Sequence, residues 1–205
     1  MCMTDSARLF LASLALAGIL PVYADAHFVL VEPASWLVES KLGDPQKAGP
    51  CGGTSADPGT PTNIVSQLRG GQKLHIKVQE TVFHPGHYSV ALAVASRSEL
   101  PPDPETTTRE TEKGPWSVSA VIQNPVRPPV LADGLFTHTT RPGEPWETDV
   151  ELPNITCEKC TLQIIQFMAE HGRNRDGDFS YHHCADLKIT ADPAKPLDTR
   201  WSAAR

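Results

Sequence analysis

The sequence has no second long apolar run, no excess of basic charge, no second CxxC motif, no long helical periodicity and no internal repeat. Each absence closes a class. Residues 9–20, LFLASLALAGIL, are too few to cross a bilayer, and nothing downstream is longer, so no membrane partner is expected. The formal net charge of −6 gives no electrostatic case for nucleic acid or an anionic membrane surface. Only Met168 lies beyond the first three residues, which excludes a thioether-rich soft-metal site. A single Cys157-x-x-Cys160 is at most half of a zinc site.

What is present begins with an export-type leader. The apolar run 9–20 is followed by Ala24-Asp25-Ala26, a small-x-small cleavage pattern, although only Arg8 precedes the run and Asp5 opposes it. A cut after Ala26 frees His27 as the first residue, whereas Val22-Tyr23-Ala24 also fits and leaves Asp25 first. Domain 27–190 with a tail at 191–205 then follows the leader 1–26; about 180 residues suffice for one soluble domain, secreted or periplasmic and expected as a monomer. Cys2 lies in the leader. Cys51, Cys157, Cys160 and Cys184 remain, an even set that points to two disulfides in an exported chain. Three pairings exist; the preferred one is Cys157–Cys160 as a local clip with Cys51–Cys184 as a long staple.

Short alternating runs dominate the rest. Residues 73–79 read K-L-H-I-K-V-Q, with Leu74, Ile76 and Val78 on one face; residues 88–94, 117–122, 148–152, 161–168 and 185–190 add further strands. Nineteen prolines and fourteen glycines spread through the chain punctuate them with turns. The pattern predicts an all-β, immunoglobulin/fibronectin-III-like sandwich with long loops at 32–63 and 97–115. Asn154-Ile155-Thr156 matches a glycosylation acceptor.

Eight histidines carry the chemistry. His75 alternates with Lys73 and Lys77 and is expected to face solvent, as is His138. His84-Pro85-Gly86-His87-Tyr88 enters a strand, with His84 held extended by the following proline. Glu170-His171-Gly172 ends an apolar strand and Tyr181-His182-His183-Cys184 opens the last, so a connection at 173–179 brings His171 near Tyr181. At a free N-terminus, the α-amine and ring nitrogen of His27 chelate one metal ion together; the amine, with an ordinary pKa of about 7.7–8.0, is deprotonated at little cost near neutral pH. One further imidazole completes a planar nitrogen set that suits Cu(II) better than zinc.

With Ala24-Asp25-Ala26-His27-Phe28, His84-Pro85-Gly86-His87-Tyr88, the run 162–171 ending in His171, and Phe179-Ser180-Tyr181-His182-His183-Cys184, the chain resembles a lytic polysaccharide monooxygenase. The resemblance spans nearly the whole mature chain. It implies one copper ion per chain on His27 and His84, with His87 as the alternative second ligand. It also implies Tyr181 as axial group, His171 as outer-sphere hydrogen-bond donor and Cys51–Cys184 as staple. The implied activity is oxidative cleavage of a polysaccharide such as chitin or cellulose at C1 or C4, using O2 or H2O2 and an external electron donor. Trp36 would stack on sugar or anchor a loop. Phe179 stands where one branch of the family carries glutamine, leaving Glu170 or Gln166 as substitutes. The pair His182-His183 also departs from the pattern, and one of the two is expected to face the sandwich edge. A rival reading is a non-catalytic exported copper carrier; a third is a zinc or purely structural secreted domain.

Overall fold

A computed structural model describes residues 27–201 of the protein. The expected leader and its cleavage site therefore lie outside the described residues. Among the described residues ten strands form: β1 His27–Glu32, β2 Val65–Arg69, β3 Lys73–Val82, β4 Gly86–Ala93, β5 Thr106–Thr111, β6 Gly114–Ala120, β7 Val130–His138, β8 Trp146–Glu151, β9 Cys157–Met168 and β10 Ser180–Thr190. The all-β sandwich with long loops expected from the pattern is what the structure shows. A three-stranded sheet ordered β1-β3-β8 packs on a five-stranded sheet ordered β2-β10-β9-β4-β7, and β5-β6 form a separate hairpin. Among the described residues no helix is long and apolar enough to cross a membrane.

Alternation decides which side chains meet in the middle. On β3, Leu74, Ile76 and Val78 are buried while Lys73 and Gln79 are exposed, and Phe28 and Leu30 of β1 join them. Tyr88, Val90 and Leu92 of β4, Leu162 and Ile164 of β9, and Leu187 and Ile189 of β10 meet them from the larger sheet. That sheet is covered on its outer face as well, where Ala91, Ala93, Leu100, Cys51 and Cys184 cluster with Trp36. Double coverage explains why β4 and β9 read as nearly continuous apolar runs.

Both preferred disulfides form, Cys51–Cys184 and Cys157–Cys160. The first ties loop 33–64 to β10. Trp36 anchors this loop: its Nε1–H donates to the Cys51 carbonyl at 2.7 Å and Arg97 stacks on its ring at 3.7 Å. Of its two expected roles, loop anchoring is the one these contacts match. β2 pairs parallel to β10 at the sheet edge, reached through Gly70 and β3 to β9 rather than through a helical crossover. The loop expected at 97–115 contains β5 and the start of β6.

Asn154 is buried, and its Nδ2 faces the carbonyls of Asp192, Lys195 and Pro196 at 3.0–3.1 Å. The acceptor motif is thus an internal anchor in the folded protein, with no room for a glycan. The same bonds hold the segment after β10, expected as a tail, and Trp201 beyond it enters the core.

Candidate metal centre

Strand register brings the predicted residues to one end of the sandwich. His27 opens β1 opposite Val82 at the end of β3, two residues before His84. Gly86 opens β4 opposite Met168 at the end of β9, three residues before His171. Tyr181, near the start of β10, pairs with Gln166. Four rings then form a continuous chain. His27 meets Tyr181 edge-on at 5.4 Å between centroids, Tyr181 lies 6.5 Å from His171, and His171 meets His84 edge-on at 4.8 Å. His27, His171 and Tyr181 are all buried, Tyr181 completely.

His87 points the other way, as strand alternation requires of the residue before Tyr88. Its ring packs on Phe167 at 5.2 Å and its Nε2 lies 4.0 Å from Asp133. Burial, only partly offset by that carboxylate, holds His87 below the usual histidine range. Among the described residues the ring chain links His27 to His84 and does not include His87.

Each ring has a support. His27 Nε2 lies 3.1 Å from Asp44 Oδ2, and this hydrogen bond holds the Asp44 carboxyl below its usual value. The Ser117 hydroxyl donates to the Met168 carbonyl at 2.6 Å and accepts the His171 backbone N–H at 3.1 Å. His171 Nδ1 faces the Gly172 carbonyl, which only accepts, so Nδ1 carries a proton and the neutral ring has its lone pair on Nε2. The Tyr181 hydroxyl lies 3.5 Å from Asn174 Oδ1.

Glu80, which no sequence motif singles out, organises the interior beside the rings. It occupies the next inward position of β3 after Val78, and its side chain is fully buried. Its Oε1 accepts the Gln166 amide at 2.9 Å and the His84 backbone N–H at 3.1 Å. His138 Nε2 lies 3.3 Å from Glu80 Oε2, while His138 Nδ1 lies 2.7 Å from the Phe136 carbonyl. Both ring nitrogens face acceptors, which selects the doubly protonated ring. Burial pulls the His138 pKa down, but the Glu80 carboxylate and the Phe136 carbonyl outweigh it and the value is raised. The expectation that His138 is exposed is therefore corrected: Glu80, brought over by long-range pairing, provides a buried partner. Gln166 is engaged by the same carboxylate, and Glu170 pairs with Arg109.

His182 and His183 take opposite faces of β10. His182 turns outward to Asp103. His183 turns inward, where its Nε2–H donates to the Phe28 carbonyl at 3.0 Å and its Nδ1 lies 3.1 Å from Glu39 Oε1. Burial pushes the Glu39 carboxyl up to about 7 and the His183 ring down to about 4. Between those values the pair holds one proton, on Glu39. An unfolded chain near pH 5.5 also holds one, on the histidine.

A raised acid loses stability as pH rises from about 4.5 to about 7, whereas a depressed histidine gains it as pH rises from about 4 to about 6.5. Glu39→Gln removes the first contribution. Its stability relative to the parent protein is expected to rise by on the order of 1–3 kcal/mol between pH 4.5 and 7, by urea unfolding. A pH-independent difference contradicts the neutral assignment.

Among the described residues, no group of three or more His, Cys, Asp or Glu is placed to hold a metal. A set of two imidazoles and one amine contains only two such side chains, and its amine exists only after cleavage before His27. All four described cysteines are bridged, so no thiolate competes. Two imidazoles and an amine would make a nitrogen donor set of the kind that suits copper, with the Asp44 carboxylate and the Tyr181 hydroxyl beside it.

No family model and no curated protein sequence matches the chain. Among solved structures, it is similar to a lytic polysaccharide monooxygenase AA15 from Thermobia domestica in the Cu(I) state, with a TM-score of 0.40 and 18% identity. The match covers 63% of this chain and 65% of that one, just under two thirds of its length. At that distance the functional reading rests on this chain's own residues.

Proposed function

We propose that the chain, exported and cut after Ala26, is a copper-dependent monooxygenase that breaks a polysaccharide oxidatively. One copper ion would be held by the amine and ring of His27 and by the ring of His84. The observation that carries this reading is the chain of ring contacts from His27 through Tyr181 and His171 to His84 at one end of the sandwich. When bound, copper supplies one-electron redox chemistry toward oxygen or peroxide, with electrons from an external donor.

The protein's own residues do the rest. Tyr181, fully buried against His27, fixes that ring and keeps water from one side of it. His171, locked by Ser117 and Gly172, presents Nε2 as the atom at which a proton is held or handed on beside His84. Glu80 holds the backbone of His84 from within.

A second reading, a copper carrier without catalysis, draws on the complete burial of Tyr181 and on Phe179 standing where glutamine is expected. Incubation of the copper-loaded protein beginning at His27 with ascorbate and insoluble chitin, cellulose, xylan or starch separates them. Oxidised oligosaccharides detected by mass spectrometry are the expected result. Copper binding without such products from any of the four polymers sinks the enzyme reading and leaves the carrier.

A further inference from the structure

We propose that Asp44 is a positioning residue that sets the ring tautomer of His27 and so selects the nitrogen that chelates copper. The inference rests on the copper reading above and assigns a role in it to a residue of loop 33–64. Asp44 Oδ2 lies 3.1 Å from His27 Nε2, whose side chain is only 9% exposed. A carboxylate can only accept, so Nε2 carries the hydrogen and the neutral ring has its lone pair on Nδ1. The choice of nitrogen matters at a chain start. Nδ1 is the ring nitrogen near the residue's own α-amine and closes a six-membered chelate with it; Nε2 points away and cannot. A carboxylate on the far nitrogen also makes the ligating one more basic.

The aspartate is built into place from both sides. Its backbone N–H donates to Ser40 Oγ at 3.1 Å, and its carbonyl accepts the Ser40 N–H at 2.9 Å. Gly43 packs so closely on β1 that a Cβ there would lie 1.9 Å from the Phe28 carbonyl oxygen, and its φ of 105° favours glycine. Gln46, fully buried, accepts the Phe28 N–H through Oε1 at 3.1 Å, while its own carbonyl accepts the His182 N–H at 2.8 Å. Residues 40–46 thus grip the backbone directly after His27. Asp44 reaches the ring from that grip, preorganised before any metal arrives.

The test uses the protein beginning at His27, which contains every described strand. Nitrogen-15 NMR of histidine-labelled, metal-free protein reads the tautomer directly. The expected result is a protonated Nε2 and an unprotonated Nδ1 for His27, lost to a mixture in Asp44→Ala. Cu(II) affinity, by competition titration, is expected to fall about 10–100-fold in Asp44→Ala. Asp44→Asn, whose amide oxygen still accepts, keeps the tautomer and most of the affinity. Matched thermal midpoints show that the variants fold.

An Nδ1-protonated ring in the parent protein, or an Asp44→Ala variant with unchanged tautomer and affinity, overturns the role. If the parent protein shows the expected tautomer, loses it in Asp44→Ala and yet binds no copper, Asp44 still orients the ring and the copper reading is what fails.

Discussion

Replacing His84 with alanine is expected to weaken Cu(II) binding by more than about 100-fold, beyond the 10–100-fold typical when only an outer-sphere partner is lost. His87→Ala is expected to leave affinity within a few-fold. The difference follows from which side of β4 each residue serves. His84 precedes the strand, is turned by Pro85, and packs its ring on His171. His87 lies on the opposite face, against Phe167 and Asp133. Isothermal titration of both variants in the protein beginning at His27 measures the contrast. Loss of binding in His87→Ala with binding retained in His84→Ala reverses the ligand assignment. Both substitutions lie outside the main core, so matched unfolding midpoints separate ligand loss from loss of fold.

Glu80→Ala is expected to destabilise the fold by about 3–5 kcal/mol, the range seen when one partner of a buried ion pair is removed. The carboxylate is fully buried and His138 is 3% exposed. Its removal strands a charged imidazole, the Gln166 amide and the His84 N–H together. Glu80→Gln keeps an acceptor and is expected to cost about 1–3 kcal/mol. The pH dependence carries its own sign. The folded pKa of His138 is raised, so its contribution is fully present below the ordinary value of 6.5 and is lost as pH rises through the folded value. Glu80→Gln removes that decline. Urea unfolding at pH 6 and pH 8 measures both effects. A Glu80→Ala variant within about 1 kcal/mol of the parent contradicts a buried ion pair here.

The strands legible in the sequence are those whose side chains alternate or run continuously apolar. β3 alternates because only one of its faces is covered, and β4 and β9 are largely apolar because both of theirs are; the second half of β10 alternates, with Ala185, Leu187 and Ile189 turned to the core. β5 was hidden in an expected loop because Thr106–Thr111 has no apolar face to display; it pairs only with β6. β7 was hidden because its register against β4 slips repeatedly and Gly134, with φ of 67°, interrupts it.

The site divides in the same way. His27, His84 and His171 carried a signal because each stands at a strand end flanked by a cleavage pattern, proline or glycine, and Tyr181 because it precedes Cys184 by three residues at the start of the last strand. Their supports did not. Asp44 and Glu39 lie in a loop whose path is set by the Cys51–Cys184 staple, and pairing of that kind is not local. Glu80 did leave a trace: after Leu74, Ile76 and Val78 it is a charged residue in the next inward register position, an interruption that points to a partner across the core. His138 left none, because its partner lies 58 residues away.

Everything proposed for copper depends on the α-amine of His27. The intact mass of the exported protein is the most direct measurement of that claim. The expected mass corresponds to a chain whose first residue is His27. A chain that begins at Asp25 or earlier leaves that amine inside a peptide bond and contradicts the copper site.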